Sequence, residues 1–230
     1  MPNVPIAQQF LSHVVLLSPR QILIVVVSTS AAMFLMTRYR ISTVLLLLQY
    51  ILLPQLLSER LYPSIFFTRL GVGFSICFIL YLTADHVQNA APPLTSRSGA
   101  DDDSNEHSEG GRPRSMGLPF CALTLALGGF TAYHLWRRYP LPPMPPELTL
   151  TGYWLMIGGV LVTLVSLDPL RIGFGLLSFL NGFTALYLFW EPGFLVTALL
   201  NVVEVLFAMG VVLFAEEGLQ TFITDVEAEE

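Results

Sequence analysis

Seven apolar stretches, each close to the length that crosses a bilayer, divide this chain of 230 residues. They run roughly Gln21–Thr37, Ile41–Leu57, Ser64–Ala84, Leu118–Trp136, Leu148–Leu167, Leu170–Trp190 and Phe194–Ala215. A helix rises about 1.5 Å per residue, so about 20 apolar residues cross about 30 Å of hydrocarbon. The first two stretches are the shortest. Inside a bilayer no water satisfies backbone groups, so each stretch must form a helix. Charged residues make up 12% of the chain, against about 25% in soluble domains. Mean hydropathy is +0.64. These features predict an all-α polytopic membrane protein with about seven transmembrane helices.

The segments between the stretches set the organisation. Residues 1–20 read as an interfacial segment ending at Ser18-Pro19, and residues 21–84 as transmembrane helices one to three. Residues 85–117 are rich in Ser, Gly, Asp, Glu and Pro and lack the apolar residues a fold requires, so a disordered acidic loop is predicted. The fourth helix covers 118–136, and a proline-rich connector of polyproline II character covers 137–147. Helices five to seven cover 148–215, and 216–230 forms an acidic tail. The N-terminus shows no cleavable signal pattern, so the first span is expected to serve as its own insertion signal. Loop arginines number four on the N-terminal side (Arg20, Arg60, Arg137, Arg138) and six opposite (Arg38, Arg40, Arg97, Arg112, Arg114, Arg171). The positive-inside rule then puts the N-terminus outside and the C-terminus in the cytoplasm.

Helices one to three resemble helices five to seven in plan. Arg40-Ile41-Ser42 opens helix two and Arg171-Ile172-Gly173 opens helix six. Each third helix carries one ionisable residue, Arg69 or Glu204. With one helix between the triplets, the expected relation is a parallel repeat of three-helix units.

The chemistry concentrates on few residues. Glu204 lies mid-span with no basic residue in its own stretch, where an isolated charge costs about 2.5–3.5 kcal/mol on insertion scales. Thr197, Asn201, Glu204 and Ala208 share one helix face, which should turn toward protein or water. Such a carboxylate is either part of a proton relay or a hydrogen-bonded structural group. Asn181, on a face with Gly175, Ser178, Gly182 and Ala185, reads as interhelical glue or as a relay member. Arg69, just over a turn into its helix, either snorkels to the interface or pairs with a carboxylate. His134 beside Trp136 and Arg137 reads as an interfacial anchor. Cys77 and Cys121 read as apolar packing residues rather than a disulfide. No Cys/His cluster has metal spacing, and no nucleotide loop, nucleophile elbow or HExxH motif occurs. No metal, no cofactor, no nucleic-acid partner and no intrinsic enzymatic activity are expected.

The run Leu167-Asp168-Pro169-Leu170-Arg171-Ile172-Gly173-Phe174-Gly175-Leu176-Leu177, then Asn181-Gly182 and Asn201-Val202-Val203-Glu204-Val205, resembles subunit K of the respiratory NADH–quinone oxidoreductase. It resembles still more the longer component E membrane subunit of group 4 hydrogenases and formate hydrogenlyase, which shares a turn like Tyr39-Arg40-Ile41-Ser42. The resemblance implies a bacterial inner-membrane subunit beside antiporter-like and hydrogenase- or quinone-module subunits, contributing to proton or sodium translocation through Glu204, Asn201, Asn181 and Arg69. Lipid would surround it. The family's second glutamate has no counterpart; its place falls near Phe179-Leu180. A stand-alone transporter and a structural scaffold subunit are the alternative readings.

Overall fold

In the computed structural model, residues 18–36, 39–57, 62–90, 118–166 and 168–228 are described. Seven helices and no strand occur among them: α1 (Pro19–Leu35), α2 (Tyr39–Leu56), α3 (Pro63–Ala90), α4 (Leu118–Arg138), α5 (Pro146–Val165), α6 (Pro169–Trp190) and α7 (Phe194–Ala228). Each predicted apolar stretch is thus a helix. Five are long and apolar enough to cross a membrane: α2, α3 over Pro63–His86, α5, α6 and α7 over Phe194–Glu217. The shorter apolar α1 and the peripheral α4 complete the bundle. The protein is a polytopic helical membrane protein.

Local sequence explains the helix starts. α1, α3, α5 and α6 each open on a proline, whose fixed φ suits the first helical position and whose missing N–H costs nothing there. The Ser18 N–H donates to the Gln21 side chain at 3.0 Å, which helps close the start of α1. Two ends differ from expectation. α3 continues through residue 90 and α7 through residue 228, so the start of the predicted loop and most of the predicted tail are helical. The added segments contain Ala, Gln, Glu and Leu and no proline, so the helical ladder carries past the apolar limit. The connector differs too. Rather than a continuous polyproline strap, it forms a turn closed by the Met144 N–H on the Leu141 carbonyl at 2.8 Å. Met144 is buried in the core, and that anchor folds the connector back. The predicted segment before residue 18, the loop arginines Arg38, Arg60, Arg97, Arg112 and Arg114, and most of the acidic loop lie outside the described residues.

The packing order bears on the repeat. α1 packs on α2 and α2 on α3; α5 packs on α6 and α6 on α7. Between these two triplets, α1 faces α5, α2 faces α6 and α3 faces α7. The rows therefore meet in the same order. A half-turn about an axis between them would set α1 opposite α7, so the relation is a lateral shift of one row onto the other. Facing helices run parallel: the Tyr39 hydroxyl donates to the Asp168 carboxylate, joining the starts of α2 and α6. α4 sits outside the rows, against α5 and α1.

α5 and α6 approach closely because glycines face each other. A Cβ on Gly175 would lie 2.7 Å from the Gly159 carbonyl oxygen, and one on Gly182 would lie 3.0 Å from that of Gly152. Close backbone approach replaces the hydrophobic drive that lipid cannot provide between helices. The surface is correspondingly apolar: Leu195 is 83% exposed and Leu164 is 75%, while Glu204 is 1%. Large apolar side chains outside and charge inside fit a hydrocarbon solvent, not water.

Candidate functional site

Four helices bring one polar cluster to the middle of the bundle. Arg69 of α3 is 4% exposed and Glu204 of α7 is 1%. Arg69 Nη1 donates to Glu204 Oε1 at 2.7 Å and to Asn201 Oδ1 at 3.0 Å; Nη2 donates to Asn181 Oδ1 at 2.9 Å. All four residues singled out in the sequence therefore meet at a single guanidinium. The alternatives for Arg69 resolve in favour of pairing. A charge-assisted hydrogen bond is roughly twice as strong as a neutral one, and Arg69 makes three such donations.

Two further residues complete the carboxylate's surroundings. The Tyr50 hydroxyl of α2 donates to Glu204 Oε2 at 3.2 Å, and the Thr184 hydroxyl of α6 donates to Oε1 at 3.0 Å. The Tyr50 ring also lies under Arg69, with the guanidinium carbon 5.8 Å from its centroid. Gly73, one turn beyond Arg69, makes this possible: a Cβ there would sit 2.7 Å from the Tyr50 side chain. One turn along α6, the Ser178 hydroxyl donates to Gln49 Oε1 at 3.3 Å, extending the polar layer between α6 and α2.

Sequence reading passes over Tyr50, Thr184 and Gly73. Thr184 was within reach of it, because Ser178, Asn181 and Thr184 recur every third residue on one face of α6. Tyr50 follows Gln49 in a leucine-rich helix, and that polar pair was the available signal. Nothing in the sequence marks Gly73 as the space that Tyr50 fills.

The cluster is a layer between two apolar packings. On one side lie Ile65 of α3, Leu52 and Leu53 of α2, and Ala185 and Leu188 of α6. On the other lie Ile76 and Leu80 of α3, Leu177 of α6, and Ala208 and Val211 of α7. The predicted stripe on α7 is buried along its length, from Thr197 through Asn201 and Glu204 to Ala208. On α7 the first side remains polar, where Thr197 donates to the Gly193 carbonyl at 2.9 Å.

Chemically the layer holds one buried cation, one buried anion and several hard oxygen ligands. Among the described residues no group of three His, Cys, Asp or Glu side chains could hold a metal ion. An apolar groove of about 600 Å³ opens between α6 and α7, lined by Ile172, Leu176, Phe207 and Phe214 among others, and shares no residue with the cluster. Cys77 is buried in apolar packing. On α4, Tyr133 packs on Trp136 and lies under Arg137, in keeping with an aromatic anchor at the helix end.

No protein-family model, curated protein or solved structure matches the chain.

Proposed function

We propose that this chain is a non-catalytic membrane subunit of a respiratory or hydrogenase-type complex, contributing to a path for protons or sodium ions. The observation that carries the reading is the buried Arg69–Glu204 pair with Asn181 and Asn201 around it. Buried ion pairs are weak devices for stability, because desolvation offsets much of their attraction. Ionisable residues within membranes mark ion pathways and proton relays. The resemblance of residues 167–177, 181–182 and 201–205 to subunit K and component E supports the same reading. Where those families place a second carboxylate, this chain places Phe179-Leu180, with Asn181 next in line holding Arg69. The working pair is then a carboxylate and a guanidinium instead of two carboxylates. In this reading the subunit lies in a bacterial inner membrane, C-terminus inside, beside antiporter-like and hydrogenase- or quinone-module subunits.

The test must separate chemistry from assembly. Glu204→Leu alone cannot do so, because it strands Arg69 and would harm even a pure scaffold. The double substitution R69Q/E204Q keeps a polar side chain at both positions and leaves no net charge. In reconstituted vesicles it is expected to assemble like wild type and to lose ion flux. Unchanged flux would sink the proposal and favour the scaffold.

A second reading, a stand-alone transporter, is favoured by one observation. The cluster is built between the chain's own two triplets, from α2 and α3 on one side and α6 and α7 on the other. Purification in mild detergent separates the two: a complex brings its other subunits, a transporter arrives alone and remains folded.

A further inference from the structure

We propose that the oxygens around Arg69 form a site for a small monovalent cation of the sodium class, and that the Arg69 guanidinium is its tethered occupant. The inference deepens the ion-path reading by naming the ion class and the competing group. Glu204 Oε1, Asn201 Oδ1 and Asn181 Oδ1 all lie within 3.0 Å of the two terminal nitrogens, and Thr184 Oγ1 lies 3.0 Å from Glu204 Oε1. Carboxylate, amide carbonyl and hydroxyl oxygens are the ligands that hard cations take. These ligands come from α6 and α7, whereas α3 contributes the arginine alone. Withdrawing the guanidinium therefore leaves the ligand set standing.

The asparagines carry the second observation. Because each turns Oδ1 to the guanidinium, each Nδ2 points elsewhere, and both Nδ2 groups are buried with no acceptor among the described residues. A buried donor left unmade costs about 1–3 kcal/mol. Flipping either amide would aim its NH₂ at a cation and is excluded while the centre is positive. The amides are thus oriented for cation ligation at the expense of their own donors.

Charge sets the valence. Without Arg69 the cluster carries one negative charge, from Glu204. One monovalent ion balances it, whereas a divalent ion would leave a buried surplus, which the interior strongly disfavours. Arg69 also has somewhere to go. It stands six residues from Pro63, about 9 Å along the axis, on a side chain that leans toward the helix start. A long arginine can span that distance to the interface. The buried Thr197 lies toward the same end of the bundle and offers oxygen on the way in.

The experiment measures thermal unfolding of the purified full chain in sodium chloride against choline chloride at equal ionic strength. Arg69→Ala is expected to gain a Tm rise that grows with the logarithm of sodium concentration and reaches about 3–6 °C at about tenfold its dissociation constant. The gain should vanish when Glu204→Gln is added. Wild type should show little change, since its own guanidinium fills the site. Should Arg69→Ala not fold, wild type gives the answer. Phenylglyoxal should modify Arg69 faster in sodium than in choline, as the cation releases the side chain. A sodium-independent Tm in folded Arg69→Ala, or equal modification rates where only wild type can be purified, overturns the proposal. Because these readouts need no flux, failure here is distinguishable from failure of the ion-path reading.

Discussion

The first triplet brings a guanidinium and a phenol to the polar layer, from Arg69 and Tyr50; the second brings a carboxylate, two amide oxygens and a hydroxyl. Helix plan and packing order match between them, yet the donors of positive charge and the acceptors have separated. The turns have separated as well. Arg40, opening α2, pairs with Asp85 at the end of α3 and so closes its own triplet. Arg171, opening α6, donates to the Met36 carbonyl at 2.9 Å and so reaches across to the end of α1. Similar positions in the two triplets thus carry different contacts. A lateral shift of one row onto the other accounts for this: in a shifted stack, the two triplets present different faces to the shared seam, so no symmetry forces them to carry the same residues.

The comparison breaks first at the charge pair. Glu204→Leu should cost about 3–5 kcal/mol, because the first triplet's arginine then lies buried without a carboxylate. R69M/E204L should recover most of that loss, since apolar replacements for a buried pair are often neutral. Thermal unfolding in detergent would show it; equal damage from the single and double changes would mean that the two triplets do not depend on each other through this pair. A smaller effect, about 1–3 kcal/mol, is expected for Gly175→Val, whose side chain would press on the α5 backbone. Gly71→Ala in the first triplet, where a Cβ meets nothing within 4 Å, should be silent in the same assay. If both were tolerated, close packing would not distinguish the α5–α6 pair. The smallest effect belongs to the surface: Arg40→Ala removes a pair whose side chains are 49% and 38% exposed, so about 0–1 kcal/mol is expected. A larger loss of Tm would make that turn a structural latch.

Much of this was legible in the residues. Apolar length and proline placement mark the helices, because in lipid a backbone has no other way to satisfy its polar groups. The stripe of Thr197, Asn201 and Glu204 marks its own face as protein-facing, since lipid would not accept it. Helix ends were less legible: α3 and α7 run on past the apolar limit because hydropathy ends where the membrane does, whereas helical hydrogen bonding does not. The connector's turn depends on Met144 finding a core, which only the packed bundle provides.

The sequence by itself determined that Glu204 and Arg69 would be costly inside a membrane and that each needed an answer. It could not say that they answer each other, because they lie on helices α7 and α3, far apart along the chain, and apolar helices are nearly interchangeable in the order they pack. That choice fell to the tertiary structure. Stacking the second row on the first in the same order sets α3 against α7, and the glycines of α5 and α6, with Gly73 beneath Tyr50, let the backbones come close enough for the oxygens to converge on one guanidinium.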